Sequence, residues 1–499
     1  MTGATFLESN ERVNGRSLIA LVAVVVVARG WLLFGTPWVP GVNGAYNLVQ
    51  VRALLEHGAL AIPDLPLTFV LQAMLASLIR LATGWTQGDA ILVAVKCADG
   101  VLPALVVVPV WMIVDGWSRA AGAGRFLPLA CAAVVGLGAP ALAVVGELQK
   151  NSLGLVWLAA LLASLHAWRE SESVGPAIAA LAFLGLGGLT HVGVFGTMLV
   201  VVPAFVGFLL ARSGSAWRVL WPWPVLAVAV ALLAGLVLWR VDPRRAERLA
   251  GALLQPATFL QGRGPGGAAP PVPPGFSLLR WGPCILGCGA GLIALVLVWR
   301  RRVTTPPGQT TLVGACAVTV VALTGPWVSG DVTIRLALIA VVPWVVTLAF
   351  LVLSLPGQGL RRISAWALLL LVVAPSVPLL ARGGHPILTD AALSELGSLA
   401  AYVEEDRSLV VARHGLEWWT AWSLRTHIAQ PSAVRPADWS RYPQVFFLRQ
   451  KGGSDTSLPV GLGPPPSEDP AIPRDALVVH DGPCFTLALV GSPAGGKEP

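Results

Sequence analysis

The chain has 499 residues, of which 55% are hydrophobic and only 12% are charged, whereas an average soluble protein has about 25% charged residues. This composition excludes a water-soluble globular protein. The formal net charge is +8, but many arginines lie in short connections between apolar runs, where they are typical of cytoplasmic loops rather than of a nucleic-acid-binding surface. Of six cysteines only Cys484 lies away from the apolar segments, which excludes a disulfide framework.

The apolar runs predict a polytopic, all-α membrane protein with about eleven to thirteen spanning helices. From Leu18 to Leu380 the runs recur closely, each near the ~20 residues that cross a bilayer as a helix. No small-residue cleavage site follows the first run, so we expect an uncleaved first helix. The twelve candidate spans lie near residues 18–34, 66–82, 90–114, 126–145, 152–168, 175–190, 194–211, 219–240, 277–299, 310–328, 334–355 and 363–380.

Arginine clusters predict the orientation of the chain in the cell (inner) membrane. Residues 300–302 and the pair Arg361 and Arg362 are typical of cytoplasmic loops, which places the C-terminal domain on the extracytoplasmic side. A cytoplasmic N-terminus then requires an odd number of crossings. One of the twelve candidates must therefore not cross, or must be two short helices, and the region 66–125 is where we expect this.

Two predicted external loops are long enough to hold structure. Residues 36–65 contain a stretch from Tyr46 to His57 with apolar residues at helical spacing, which predicts a helix lying in the membrane interface. Residues 242–275 end in a Gly/Pro-rich tract, which cannot form a packed core.

The C-terminal residues predict a small extracytoplasmic α/β domain. An amphipathic helix is expected from Thr389 to Glu404, with Thr389 as its cap. Strand-like runs follow at 408–413, 444–448, 476–480 and 484–490. The chain therefore divides into a transmembrane domain at 1–380 and an α/β domain at 381–499.

A group of polar residues follows the first predicted helix. Asn47, Arg52, Glu56 and His57 lie along the predicted interfacial helix. A transferase that uses a lipid-linked sugar donor needs a base near the acceptor and cations for the lipid phosphate, both at the membrane surface. An interfacial helix with these side chains can supply such groups.

This stretch resembles the first external loop of the oligosaccharyltransferase catalytic subunit, within the GT-C superfamily that also holds protein O-mannosyltransferases and lipid A aminoarabinose transferases. The family pattern is Gly-x-Asp-x-Tyr, then an arginine, then a His-Gly turn ending in aspartate. The positions kept here are Gly41, Tyr46, Arg52, His57, Gly58 and Asp64. Asn43 stands at or near the family's first catalytic aspartate, and an amide cannot act as a base or neutralise a divalent cation as a carboxylate does.

The resemblance implies further site residues. The second acidic motif of the family falls just before the fifth helix, where Glu147 is the candidate general base. Arg335 resembles an arginine that meets the lipid phosphate, although it is also typical of a snorkelling anchor. Trp418 and Trp419 resemble a Trp-Trp-Asp acceptor motif without its aspartate. The alternative interpretation is that the two residues form a buried aromatic pair.

Lys96 and Asp99 lie one turn apart near the start of the third predicted span. Each would cost a few kcal/mol if it were unpaired in the bilayer. We therefore expect them to neutralise one another or to face a polar cavity.

Taken together, the residues and the resemblance predict a membrane glycosyltransferase that moves a sugar from a polyprenyl-phosphate-linked donor to an acceptor on the extracytoplasmic face. Glu147 is the predicted base, and Arg52 and Arg335 are predicted to bind phosphate. The other predicted substrate-binding residues are Asn43, Tyr46, Asn47, His57, Asp64, Trp418 and Trp419. No cofactor and no nucleic acid are predicted, with a divalent metal left as an alternative.

The alternative function is a non-catalytic lipid-glycan transporter or scaffold membrane protein on the same fold. A transporter places paired charges near the bilayer midplane, and Lys96 with Asp99 favours this alternative.

Overall fold

The structure is a computed structural model, and it describes residues 3–212, 239–240, 247, 274–300, 307–325, 330–431, 434, 441–453 and 469–490. The predicted span at 219–240 and the predicted external loop at 242–275 lie almost entirely outside these residues.

Helices dominate the described residues. The helices are α1 (Gly3–Phe34), α2 (Gly44–His57), α3 (Leu67–Thr83), α4 (Gln87–Val101), α5 (Val107–Ala120), α6 (Phe126–Leu137), α7 (Ala139–Leu142), α8 (Gln149–Ser171), α9 (Val174–Thr190), α10 (Val192–Arg212), α11 (Pro274–Trp299), α12 (Pro307–Thr324), α13 (Gly330–Leu353), α14 (Gln358–Val373), α15 (Ser376–Arg382), α16 (Asp390–Ser398) and α17 (Glu417–Leu424). Eleven of the twelve predicted spans each overlap at least one of these helices, and the twelfth, at 219–240, lies almost entirely outside the described residues.

Six candidate spans among the described residues are long and apolar enough to cross a membrane. They are Gly15–Phe34, Gln87–Ala120, Gln149–Ser171, Val192–Ala211, Arg335–Leu353 and Gln358–Arg382. The candidate at Gln87–Ala120 consists of α4 and α5 joined by a 3-10 turn at Pro103–Val106, where Pro103 supplies no N–H for a continuous α-helix. These helices have the length and composition of a multi-pass membrane protein.

The chain forms two compact units. The first unit holds Met1–Ala28, Val101–Val144 and Lys150–Ala381, and the second holds Arg29–Gly100, Val145–Gln149 and Arg382–Pro499. In the first unit, side chains such as Phe205 and Phe350 are fully buried among apolar helices. The predicted division of the chain at residue 380 stays a prediction.

Helix α2 is the predicted helix of the first external loop. It ends at Gly58, whose left-handed backbone (φ 69°) lets its N–H bond to the carbonyl of Leu54 at 3.1 Å. Its residues Leu48 and Val51 are fully buried in the core of the second unit. We expected this apolar face to lie in the membrane interface, but these two residues pack against protein, where α2 contacts α3 and α17.

A five-stranded mixed sheet closes the chain. The strands β1 (Ser408–Val411), β2 (His427–Ala429), β3 (Gln444–Gln450), β4 (Leu477–Asp481) and β5 (Phe485–Val490) have the order β2-β1-β3-β5-β4. Strand β1 is parallel to β2 and β3, and β5 is antiparallel to β3 and β4. The predicted α/β character is confirmed, and β2 and α17 are elements that the sequence pattern did not predict.

Glu395 of α16 ties this helix to the sheet. Its carboxylate accepts hydrogen bonds from Nε2 of His480 at 3.0 Å and from the backbone N–H groups of Cys484 at 2.8 Å and Phe485 at 2.9 Å. Burial raises the pKa of Glu395, but these hydrogen bonds together lower it below its usual value. The carboxylate form of Glu395 therefore stabilises the contact between α16 and β5.

Candidate functional site

Glu147 lies in the connection between α7 and α8 and is held by the first loop. Its Oε2 accepts a hydrogen bond from the backbone N–H of Asn43 at 2.8 Å, and its Oε1 accepts one from Nδ2 of Asn43 at 2.5 Å. Both residues are half-buried. A single asparagine therefore fixes both oxygens of the predicted base.

Two glycines allow the first loop to approach Glu147. Gly41 has φ 98°, and a Cβ on it would lie 3.1 Å from Cα of Glu147 and 2.5 Å from its Oε2. Gly146 has φ 78°, and a Cβ on it would lie 2.5 Å from the carbonyl oxygen of Pro40. Since a side chain would clash at either position and both backbones are left-handed, glycine is required at both.

A buried ion pair between Arg29 and Asp99 holds the backbone of Gly146, the residue before Glu147. Oδ1 of Asp99 lies 2.8 Å from a terminal guanidinium nitrogen of Arg29, and Nε of Arg29 donates to the carbonyl oxygen of Asp99 at 2.9 Å. Oδ2 of Asp99 accepts the N–H of Gly146 at 2.7 Å. Arg29 and Asp99 are 3% and 2% exposed, so water does not compete for these bonds.

Lys96 has partners of its own. Its ammonium donates to the carbonyl oxygens of Thr36 at 2.7 Å and Pro37 at 2.9 Å, just beyond the end of α1. The prediction that Lys96 and Asp99 neutralise one another is therefore wrong, because Asp99 pairs with Arg29 instead.

A hydrogen bond between Tyr46 and Asp64 joins the start of α2 to the end of the first loop. The hydroxyl of Tyr46 donates to the carboxylate of Asp64, and it accepts a hydrogen bond from Nε2 of Gln50 at 3.0 Å. Gln50 also exchanges hydrogen bonds with the backbone of Ile62, at 2.9 and 3.2 Å. The ring of Trp418 packs edge-on against Tyr46, with ring centroids 4.7 Å apart. These contacts fix the loop around α2.

The other predicted site residues lie in different surroundings. Asn47 is 3% exposed, and its Oδ1 has no hydrogen-bond partner among the described residues. His57 is exposed in the last turn of α2. Trp419 is fully buried, edge-on to Trp38 with centroids 6.1 Å apart, which is the arrangement of a core residue.

Arg335 belongs to the first unit, where its side chain is exposed on α13. Glu147 and Arg52 belong to the second unit. The predicted convergence of Arg335 with those two residues stays a prediction.

Arg52 is bound to the C-terminal end of α17. Its two terminal nitrogens donate to the carbonyl oxygens of Ala421 at 2.6 Å and Trp422 at 2.9 Å, and its guanidinium lies 5.0 Å from the ring centre of Trp422. Burial lowers the pKa of Arg52, and the neighbouring positive charge of Arg425 lowers it further, against the opposing effect of Glu56. Arg52 also lines a cavity of about 430 Å³.

No group of three or more His, Cys, Asp or Glu side chains that could hold a metal ion occurs within the part of the chain that the structure describes. Around Glu147 the hydrogen-bonding neighbours are the amides of Asn43.

Sequence reasoning missed several residues of this unit. Arg29 carries a detectable signal, because a single arginine within an apolar helix requires a partner. Trp38, Trp422 and Arg425 carry no such signal, since they reach the surroundings of Arg52 only through the tertiary fold.

Comparisons with known proteins give similarities to solved structures, among them two structures of one protein. No protein-family model matches the sequence, and no curated protein matches it. The crystal structure of ArnT from Cupriavidus metallidurans bound to undecaprenyl phosphate has a TM-score of 0.47 and 13% identity, covering 99% of this chain and 100% of that chain. The apo state of the same protein has a TM-score of 0.40 and 14% identity, covering 96% and 98%. Similarities of this size carry no argument for an activity.

Proposed function

We propose that the protein is a membrane glycosyltransferase that moves a sugar from a polyprenyl-phosphate-linked donor to an acceptor on the extracytoplasmic face of the inner membrane. The observation that carries the proposal is the carboxylate of Glu147, which Asn43 holds through two hydrogen bonds of 2.8 and 2.5 Å. We assign Glu147 as the general base.

The carboxylate of Glu147 retains the capacity to accept a proton. A carboxylate has about four lone-pair sites, and Asn43 occupies one on each oxygen. Because Asn43 fixes the orientation of the carboxylate, little reorganisation is needed when the acceptor hydroxyl approaches. A base positioned in this way contributes roughly 10²–10⁴-fold to the rate.

The proposed step is a displacement at the anomeric carbon of the sugar. The acceptor oxygen forms a bond to this carbon as Glu147 takes the hydroxyl proton. The bond between the anomeric carbon and the phosphate oxygen breaks, and its electron pair leaves with the polyprenyl phosphate. The products are the glycosylated acceptor, free polyprenyl phosphate and a protonated Glu147, which returns its proton to water.

We assign Arg335 to the lipid phosphate. Arg335 directly precedes the apolar run at 336–353 in the sequence, and the end of an apolar helix is the level at which lipid head groups lie. A guanidinium at this level forms charge-assisted hydrogen bonds to a phosphate. We retain Asn43, Asn47, His57 and Trp418 as proposed contacts of the sugar or acceptor. Tyr46 and Asp64 act by holding the loop, and Trp419, which is fully buried, acts as a core residue.

The alternative of a transporter rested on Lys96 and Asp99. Lys96 binds the carbonyl groups of Thr36 and Pro37, and Asp99 binds Arg29 and Gly146. Both charges therefore stabilise the loops of the second unit, and this feature no longer favours transport.

The test is a transfer assay with the purified full-length protein in nanodiscs. The donors are radiolabelled polyprenyl-phosphate sugars, and the acceptors are extracts of cell-envelope lipids and glycans. We expect the wild type to move label from at least one donor, and Glu147→Gln to reduce the rate by at least about 10²-fold. The matched control is Glu404→Gln, an exposed glutamate of the same unit that pairs with Arg407 at 2.9 Å.

Two results would overturn the proposal. If no donor loses label to any acceptor with the wild type, the glycosyltransferase function is wrong. If Glu147→Gln transfers label as fast as Glu404→Gln, Glu147 is not the base.

A further inference from the structure

A short basic turn follows α15 in the second unit. It consists of Arg382, Gly383, Gly384 and His385, of which Arg382 is the last residue of α15. The first loop and Glu147 belong to the same unit. The turn therefore shares a compact unit with the proposed base.

Backbone hydrogen bonding places this turn against the first loop. The N–H of Gly41 donates to the carbonyl oxygen of His385 at 2.9 Å, and Gly41 forms an isolated parallel β-bridge with Pro386. A Cβ on Gly41 would lie 2.5 Å from Oε2 of Glu147. A single residue of the first loop therefore separates the backbone of His385 from the proposed base.

The two glycines of the turn allow this close approach. Gly383 has φ 78°, in the left-handed region that favours glycine. A Cβ on Gly384 would overlap the carbonyl oxygen of Leu32 and would lie 2.9 Å from Cγ of Pro40. The turn is thus packed against the end of α1 and the first loop. Its backbone fixes the positions of the two basic residues that flank the glycines.

The two basic side chains are available to a ligand. Arg382 and His385 are both exposed. Within the part of the chain that the structure describes, the guanidinium of Arg382 forms no hydrogen bond and no ion pair. Nε2 of His385 lies 2.9 Å from the carbonyl oxygen of Arg382, and this nitrogen is the donor because a carbonyl oxygen only accepts. The imidazolium form of His385 has a second N–H, on Nδ1, to offer a ligand.

The turn follows an apolar segment of the chain. Arg382 comes directly after the apolar run at 363–381 in the sequence. The end of such a run is the level at which lipid phosphates lie, and long basic side chains extend to it. An arginine that only anchors a helix in the membrane needs no contact with other loops. Here the same turn is bonded to the loop that holds Glu147, which favours a role at the proposed site.

The proposed displacement requires a cation near Glu147. The acceptor oxygen and the phosphate oxygen lie on opposite sides of the anomeric carbon, so the phosphate lies only a few bond lengths from the base. As its bond to the anomeric carbon breaks, the phosphate keeps the electron pair and gains negative charge. A fixed cation in contact with the phosphate stabilises this developing charge.

We propose that Arg382 and His385 bind the phosphate of the polyprenyl carrier. The guanidinium of Arg382 forms charge-assisted hydrogen bonds to the phosphate oxygens, and the imidazolium of His385 donates from Nδ1. Arg382 joins Arg335 as a proposed contact of this phosphate. That the phosphate is the leaving group rests on the proposed function, but its binding by this turn does not.

The test is a binding titration of the full-length protein in nanodiscs of zwitterionic lipid, with uptake by empty nanodiscs subtracted. The probes are farnesyl phosphate, which is a short polyprenyl phosphate, together with farnesol and inorganic phosphate. We expect the protein to bind farnesyl phosphate at least about tenfold more tightly than farnesol, as one charge-assisted hydrogen bond would give. Equal binding of the two would overturn the proposal. Inorganic phosphate that binds as tightly as farnesyl phosphate would overturn the assignment to a lipid carrier.

Variants separate phosphate binding from a role in the fold. Arg382→Gln should lower the affinity for farnesyl phosphate at least about tenfold and leave the affinity for farnesol unchanged. Arg382→Lys keeps the charge and should restore part of the affinity, and His385→Ala should also weaken binding. The matched control is Arg80→Gln, which removes an exposed arginine from the last turn of α3 in the same unit and should change neither affinity.

Two results with these variants would overturn the proposal. In the first, Arg382→Gln binds farnesyl phosphate as tightly as Arg80→Gln does. In the second, phosphatidylglycerol added to the nanodiscs competes with farnesyl phosphate on equal terms. That competition would show that Arg382 is only an anchor to ordinary anionic phospholipid.

Transfer assays distinguish this proposal from the proposed function. Glu147→Gln should bind farnesyl phosphate as the wild type does, while transfer is lost. Binding of farnesyl phosphate that depends on Arg382, without transfer from any donor, would refute the glycosyltransferase function alone. Transfer by Arg382→Gln at the wild-type rate, with unchanged affinity for farnesyl phosphate, would refute the phosphate assignment alone.

Discussion

Replacing Asp99 by alanine should destabilise the second unit strongly, because Asp99 neutralises a buried arginine. Asp99 and Arg29 are 2% and 3% exposed, and Oδ1 of Asp99 lies 2.8 Å from Arg29. Removing one member of a buried ion pair costs about 3–5 kcal/mol, since the remaining charge has no partner. The N–H of Gly146 also loses its acceptor at 2.7 Å, which costs about 1–3 kcal/mol. The two effects overlap, and we expect a loss of about 4–6 kcal/mol.

The double variant Arg29→Met with Asp99→Leu separates charge from packing. It leaves no buried charge, and replacing a whole ion pair by apolar residues is often nearly neutral. The N–H of Gly146 loses its acceptor, and the carbonyl oxygen of Asp99 loses the hydrogen bond from Nε of Arg29. We therefore expect a loss of about 2–4 kcal/mol. The double variant should therefore be more stable than Asp99→Ala.

The assay is reversible unfolding in mixed micelles, followed by tryptophan fluorescence. One cycle contains the wild type, Arg29→Met, Asp99→Leu and the double variant, and Asp99→Ala is measured beside it. The coupling free energy between residues 29 and 99 comes directly from the four unfolding free energies. If the double variant is as unstable as Asp99→Ala, or less stable, the buried ion pair does not support the loop as described.

Three further predictions concern the loop, the sheet and the core. Gly41→Ala should reduce both stability and the transfer rate, because its Cβ would meet Glu147. Gly58 has φ 69° and open space around it, so Gly58→Ala should cost only about 1–2 kcal/mol of backbone strain. Equal transfer rates for the two variants would contradict this prediction. The pKa of Glu395 is lower in the folded protein than in the unfolded chain. Its contribution to the free energy of unfolding should therefore be complete above the unfolded pKa of about 4.3. This contribution should be lost as pH falls through the pKa of the folded protein. Unfolding measured between pH 3 and 6 should show this dependence in the wild type and a weaker one in Glu395→Gln. Trp419→Ala should cost about 3–5 kcal/mol, and Trp418→Ala should cost less in the same assay because its ring is only half-buried.

The helices could be predicted from sequence because apolar runs of membrane length are a local signal. Helix α2 was expected from Tyr46 to His57 and spans Gly44–His57, and its end is marked by Gly58. By contrast, β2 has three residues and α17 has eight, which is too short for a hydrophobic period to be recognised. Local pattern therefore predicted the long helices and four of the five strands, and it missed β2 and α17.

Partners of buried charges could not be read from local spacing. Lys96 and Asp99 are three positions apart, so their pairing was a reasonable expectation. The actual partner of Asp99, Arg29, is 70 positions away, and that of Glu147, Asn43, is 104 positions away. The family resemblance indicated both Asn43 and Glu147 as site residues, but their hydrogen bonds emerge only from the tertiary fold.

The most direct test of the account is a single-turnover transfer experiment with donor bound to the protein before acceptor is added. We predict that Glu147→Gln binds the polyprenyl-phosphate sugar as tightly as the wild type, yet transfers it at least about 10²-fold more slowly. Transfer by Glu147→Gln at the wild-type rate would contradict the assignment of Glu147 as the base on which the proposed mechanism depends.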